Sequence, residues 1–168
     1  MIKMNLNDPE QLVELHSLQH ASYKIEAELI GFADIPPLLE TADDLKNCGE
    51  TFYGYKEDGK LAGAIAVSNE EGLCTICRLI VHPDFFRRGI GSVMVSYVCE
   101  HLSCKKFIVS TGTENHPARR LYEKHGFTHI RDEELAGLEL VISHYEKTGN
   151  GINVDENKGE SSSNEGSL

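Results

Sequence analysis

The stretch that most constrains this chain is a strand running into a glycine-bearing turn and then a helix. Leu73 to Val81 is a long run of mostly apolar and β-favouring residues closed by His82-Pro83. Past Gly89, the residues Ile90, Val93, Met94, Tyr97, Val98, His101 and Leu102 recur at helical spacing, so one stripe of that helix is buried. Lys106 to Ser110 is apolar again and reads as a strand. Strand, helix and strand in that order require a parallel pair with a crossover, because a hairpin joins only antiparallel neighbours.

The flanking segments read as antiparallel. Thr51–Lys56 and Leu61–Ser68 precede the long strand, separated by the turns Glu57-Asp58-Gly59-Lys60 and Asn69-Glu70-Glu71-Gly72, which makes a three-stranded meander. Asn115 to His125 is a second helix with Ala118, Leu121, Tyr122 and His125 on one face, and Gly126 ends it. Phe127–Arg131 and Leu138–Tyr145 read as a final pair of strands. At the start, Ile2 to Leu6 suits a short strand, Asp8 caps a helix and Pro9 fits its first position. Leu12, Leu15, Leu18, Ile25 and Leu29 then mark one long or two short amphipathic helices, closed by Gly31. Ile35-Pro36-Pro37 is expected to be irregular, since proline removes a donor and restricts its predecessor. Thr41 can cap a short helix through Asn47. The expected fold is α+β: a mostly antiparallel sheet with one parallel pair and helices on both faces. Residues 1–147 form the expected domain, and Thr148 to Leu168, rich in Gly, Ser, Asn and Glu, a disordered polar tail.

The formal net charge of -11 argues against non-specific nucleic-acid binding and suits a cationic partner, although a global charge says little about one pocket. The chain starts without a basic segment and apolar signal core, and it has no apolar run long enough to cross a membrane. With five cysteines, an odd number, the simplest expectation is a cytosolic protein with reduced thiols.

The turn Arg87-Arg88-Gly89-Ile90-Gly91 is the candidate ligand site. Glycine lets a ligand approach the backbone closely, and the first amides of the following helix lack internal partners and carry the positive end of its dipole. A diphosphate is the natural occupant. Taken alone, the segment is equally a tight turn with two surface arginines. No Gly-Lys-Ser/Thr follows it, so it is not a P-loop. A third glycine and an acidic end to the next strand are missing, so it is not the dinucleotide fingerprint.

Arg78-Leu79-Ile80-Val81-His82-Pro83-Asp84-Phe85-Phe86-Arg87-Arg88-Gly89-Ile90-Gly91 resembles the coenzyme A motif of the GNAT acetyltransferase superfamily, and Asn115 to Phe127, with Leu121-Tyr122-Glu123-Lys124-His125-Gly126-Phe127, resembles its second motif. The resemblance covers residues 1 to about 147 and implies acetyl-CoA as cosubstrate, a splayed parallel strand pair, and acetylation of an amine of a small molecule or protein by direct attack. It implies that amides of Ile80 and Val81 bond the pantetheine arm, that amides from Arg87 through Gly89, Ile90 and Gly91 to Ser92 hold the pyrophosphate, and that Asn115 contacts the pantetheine. It also implies that Tyr122 protonates the departing thiolate and that the amide near Ile80 serves the oxyanion. Homodimers are common in that family. Phe86 departs from the motif, whose first position is usually Gln or Arg, which shifts phosphate binding onto main-chain amides and the two arginines.

The base is the open position. The long strand carries no acidic residue; Thr75 and Cys77 stand where one is usual. Glu26 is the leading candidate, with Glu28, His16, His20, His82 and a water-mediated route as alternatives. Arg78 either pairs with a carboxylate of the fold or faces the acceptor pocket, because an isolated buried cation is expensive. Cys74 and Cys77 are CxxC-spaced but point to opposite faces of a strand, and His16 with His20 lacks a third ligand, so no metal is expected. A coenzyme-binding module without catalysis is the competing reading.

Overall fold

The computed structural model describes residues 1–31, 36–137 and 139–151. In chain order the elements are β1 (Ile2–Lys3), α1 (Pro9–Ile30), α2 (Pro36–Leu39), α3 (Ala42–Lys46), β2 (Thr51–Glu57), β3 (Lys60–Glu70), β4 (Leu73–Val81), a 3-10 turn (Pro83–Phe85), α4 (Ile90–His101), β5 (Lys106–Gly112), α5 (His116–Lys124), β6 (Thr128–Leu135) and β7 (Leu140–Thr148). The strands form one sheet in the order β1-β2-β3-β4-β5-β7-β6. Among the described residues only β4 and β5 pair in parallel, and α4 is the crossover between them.

Each face of the sheet has its own core. On one, Met94, Val95 and Val98 of α4 and Tyr122 of α5 pack on Ile65, Phe107 and Tyr145. On the other, Leu15, Leu18 and Tyr23 of α1 and Leu45 of α3 pack on Phe52, Ala64 and Ile80. The amphipathic N-terminal segment is one helix of 22 residues: Asp8 accepts from the Glu10 amide, and Gly31 closes the helix at φ 71°. A cap of this kind is worth about 1 kcal/mol.

Several boundaries differ from the sequence reading. Pro36-Pro37 opens a helical turn instead of an irregular segment, since proline suits the first turn, where an amide would have no partner anyway; Ile35 lies outside the described residues. The last pair of strands runs further than expected, over Thr128–Leu135 and Leu140–Thr148, while Leu138 lies outside the described residues. Thr148 pairs with Lys106, and Gly149 and Gly151 donate to the carbonyls of Lys105 (2.8 Å) and Cys104 (2.7 Å). The expected disorder of the tail falls, from residue 152 on, outside the described residues.

The expectation of reduced thiols is corrected. Cys74 and Cys104, both buried, form a disulfide with Cα atoms 6.0 Å apart. The register that sets Leu73 opposite Lys106 brings the start of β4 beside the segment leading into β5, which no local pattern announces. Cys74 and Cys77 do face opposite cores, as the strand geometry requires. No described helix is long and apolar enough to cross a membrane.

Candidate active site

A β-bulge creates the site. Ala66 opposes Arg78, but Val67 opposes Ile76, so Cys77 is an extra residue in β4. Without it, Cys74, Ile76, Arg78 and Ile80 would share one face of the strand. With it, Ile76 stays in the α4 core, whereas Cys77 and Ile80 pack on the α1 core and Arg78 reaches α1. The parallel ladder to β5 ends at Ile76 and Val109, and beyond that pair the strands part. A cavity of about 250 Å³ opens there, with Tyr23, Glu26, Arg78, Ser110, Asn115 and Tyr122 in its wall.

Register decides which amides face that gap. The His82 amide donates to the Ala62 carbonyl at 2.8 Å. Opposed residues in an antiparallel ladder alternate between bonded and unbonded pairs. Ile80 with Ala64 and Arg78 with Ala66 are therefore bonded pairs, and the amides of Leu79 and Val81 face away from β3, toward β5. The Ile80 amide is thus engaged in the ladder. Leu79, which the sequence reading passed over, has the free one, because its role depends on ladder parity and not on its side chain.

The glycine turn follows directly. Arg87 and Gly89 both take left-handed backbone, at φ 63° and 75°, and such strain in a non-glycine residue clusters at functional turns. The first helical bond of α4 runs from the Val93 amide to the Gly89 carbonyl (3.0 Å), which leaves the amides of Ile90, Gly91 and Ser92 without a helical partner. Space around Gly89 is open, so it is the left-handed conformation that favours glycine there; at Gly91 a Cβ would stand 3.2 Å from Leu121 Cδ2, and that side chain would have to give by a few tenths of an ångström. A groove of about 640 Å³ runs along this turn between α1, α4 and α5, lined by Arg87, Gly89, Ile90, Gly91, Ser92 and Lys124 among others. The exposed ring of Phe86 also lines it. Arg88 turns elsewhere, to Glu57 at 3.4 Å and over the Phe85 ring at 5.2 Å. The Ser92 hydroxyl lies 2.7 Å from His125 Nε2.

Groove and cavity share Glu26, Leu79, Asn115 and Ala118 as walls. Asn115 caps α5, its side-chain oxygen accepting from the Ala118 amide at 3.2 Å. Burial raises the Glu26 carboxyl above its usual range, and the Asn115 side chain pulls part of that rise back. Tyr122 is pushed well above the ordinary phenol value, first by burial and then by the Glu26 charge. Tyr23 is raised in the same way, with Arg78 opposing. Both phenols consequently keep their protons at neutral pH, and among the described residues the Tyr122 hydroxyl has no hydrogen-bond partner.

The other base candidates stand apart from both cavities. Glu28 and His20 are exposed, His16 bonds the Glu40 carbonyl at 2.9 Å, and His82 accepts from the Asp84 amide. Among the described residues no group of three His, Cys, Asp or Glu could hold a metal ion. Arg78 is paired: its guanidinium donates to Glu50 (2.7 and 3.0 Å), Glu40 (2.8 Å) and Gln19 (2.8 Å). Arg119 is also structural, donating to the Tyr145 hydroxyl and the Thr113 carbonyl.

Comparison with known proteins gives this geometry a lineage. The sequence model of the GNAT acetyltransferase family matches residues 10–127. The UPF0157 protein YqkA of Bacillus subtilis (strain 168) is 40% identical over 133 residues, which cover 78% of this chain and 39% of that protein; the chain spans about two-fifths of the length of this curated relative. Among solved structures, the Escherichia coli ribosomal-protein-S18-alanine N-acetyltransferase superimposes with a TM-score of 0.70 at 13% identity, covering 88% of this chain and 94% of that one. The PaiA N-acetyltransferase of Thermoplasma acidophilum, solved with coenzyme A, gives 0.66 at 18% identity over 87% and 96% of the two chains. A Salmonella typhimurium protein solved with its cofactor acetyl-CoA gives 0.68 at 13% identity over 90% and 94%. The bulged and parted β4, the glycine turn with its free amides and the matched sequence span agree: the chain belongs to the GNAT acetyltransferase family.

Proposed function

We propose that this protein transfers an acetyl group from acetyl-CoA to a primary amine of a small molecule or a protein. The observation that carries the reading is the junction of groove and cavity at Leu79, which joins a turn with unpartnered helix amides to a strand amide facing the gap and a buried phenol. The residues fit the coenzyme. Amides of Ile90, Gly91 and Ser92, with Arg87 and Lys124 beside them, suit a pyrophosphate; the Val81 amide suits a pantetheine arm, and Asn115 borders it. When bound, acetyl-CoA supplies an acyl group activated as a thioester.

The chain's own groups then divide the work. The Leu79 amide donates to the oxygen on which charge develops, a contribution of about 10²–10³ in rate for one such donor. This role passes to Leu79 because the Ile80 amide is taken by Ala64. Tyr122, kept protonated by burial and by Glu26, gives its proton to the leaving sulfur. Glu26 is the carboxylate that draws an ammonium group into the cavity.

Calorimetric titration with coenzyme A, paired with a thiol-release assay on a panel of amines, tests the reading. Gly89→Glu is expected to abolish coenzyme binding while the far-UV spectrum is retained, because a carboxylate then occupies the anion site. Tyr122→Phe is expected to bind coenzyme normally and to lose about 10²–10⁴ in kcat. Unchanged affinity in Gly89→Glu refutes the coenzyme site. Tight binding without turnover on any amine favours a coenzyme-binding module instead.

A further inference from the structure

The cavity wall carries a hydrogen-bonded row that neither motif includes. Ser110, the first β5 residue past the last parallel pair, lines the cavity. Its Oγ lies 2.7 Å from Nδ1 of His144 on β7, and Nε2 of that ring lies 2.8 Å from Oε2 of Glu133 on β6. Hydroxyl, imidazole and carboxylate thus stand in line across three adjacent strands, leading from the cavity to the sheet surface.

The carboxylate settles the direction of these bonds. An ionised Glu133 only accepts, so Nε2 carries the hydrogen and Nδ1 has the free lone pair. The Glu133 carboxyl is held below its usual range first by the His144 bond and then by Arg131, whose guanidinium lies 3.4 Å away. Ser110 therefore donates to Nδ1, which leaves its oxygen lone pairs for a donor in the cavity.

We propose that Ser110, His144 and Glu133 form a relay that takes the proton from the acceptor ammonium. This rests on the acetyltransfer reading and concerns the same cavity. The ammonium N–H proton passes to Ser110 Oγ as the Ser110 hydroxyl proton passes to His144 Nδ1, so the amine becomes neutral and the ring an imidazolium. Glu133 is a positioning residue that sets the tautomer and stabilises the cation. Glu26 is less suited to this step: protonating it would cancel the charge that holds the ammonium and raises Tyr122. The charged and titratable groups around His144 are Glu133 and Arg131 on β6, and Glu146 two positions along β7 with Lys106 of β5 bound to it at 3.2 Å.

The test compares two acceptors, 1,4-diaminobutane and hydroxylamine, with acetyl-CoA and the full chain near neutral pH. The diamine must lose a proton before attack, whereas hydroxylamine is already largely neutral. His144→Gln and Ser110→Ala should lower kcat/KM for the diamine by about 100-fold or more, yet change it less than about threefold for hydroxylamine. Coenzyme affinity should be unchanged in both, and Ser110→Thr should restore most of the diamine rate. Equal losses with both acceptors, or none with the diamine, overturn the relay alone. A wild-type protein that binds coenzyme and acetylates no amine of the panel, these two included, overturns the acetyltransfer reading, and the relay's part in it. Nitrogen NMR of the His144 ring gives a readout independent of turnover: hydrogen on Nε2 is expected, and hydrogen on Nδ1 in the neutral ring refutes the proton path.

Discussion

Replacing Arg78 with methionine probes how the cavity beside the β4 bulge is held in shape. The guanidinium ties the β4 bulge to α1 through Gln19, to the residue after α2 through Glu40, and to the start of β2 through Glu50. Side-chain exposure is 11% for Arg78, 23% for Glu40 and 14% for Glu50, so water screens these bonds poorly. Methionine fills similar volume but leaves two carboxylates without their cation. Removing one partner of a buried pair costs about 3–5 kcal/mol. With Glu40 partly open to solvent we expect the lower end, about 3 kcal/mol, or a fall in Tm of about 6–12 °C for a domain of this size. The cost is pH-dependent. Burial raises Glu50, but its bonds to Arg78 overcome this and leave its folded pKa depressed. That contribution is present above the unfolded carboxylate pKa and is lost as pH falls through the depressed folded value. The gap between wild type and Arg78→Met should therefore narrow on acidification. Urea unfolding followed by circular dichroism at about pH 7 and about pH 4 measures both numbers. Adding Glu50→Gln should recover part of the loss by removing one stranded charge. A loss below about 1 kcal/mol at neutral pH, as for an exposed pair, or a gap that widens in acid, refutes the reasoning.

Two further outcomes follow from the same geometry. Glu26→Gln should raise stability in mildly alkaline solution and leave it unchanged in acid: burial raises the folded pKa, so the ionised form is disfavoured above that value and the penalty vanishes below the unfolded one. Thermal melts across pH check this, and a stabilisation confined to low pH would contradict it. Replacing single backbone amides by esters separates Leu79 from Ile80. The ester at Leu79 should cost about 10²–10³ in kcat with little loss of stability, while the ester at Ile80 should cost about 1 kcal/mol of stability through the lost ladder bond and spare turnover; reversed effects in the thiol-release assay and urea melts would refute the assigned parity.

Much of the fold is legible in local pattern. The caps Asp8 and Thr41, the stripe of α4, Pro9 and the turn glycines act within a few residues of themselves, and the seven described strands follow from runs bounded by such punctuation. Strand ends were less legible: the chain past Tyr145 is polar, and what keeps it in register through Thr148 is pairing with Lys106, more than forty positions earlier in the chain. The glycine turn was legible for the same local reason, and the candidates Glu26, Asn115 and Tyr122 do line one cavity, although their convergence needs α1 and α5 to meet across the parted strands.

What the sequence alone determined is therefore the order of elements, the parallel crossover and a glycine turn opening a helix at Gly89, since each depends on backbone preference and short-range spacing. Tertiary structure decided the chemistry around it. The extra residue at Cys77 arises from a register between two strands and turns Arg78 toward α1. Ladder parity assigns the free amide to Leu79. The pairing of Cys74 with Cys104, and the row Ser110, His144 and Glu133, join residues that are distant along the chain. Such contacts are relations between elements, set when the sheet assembles, and no single segment carries them.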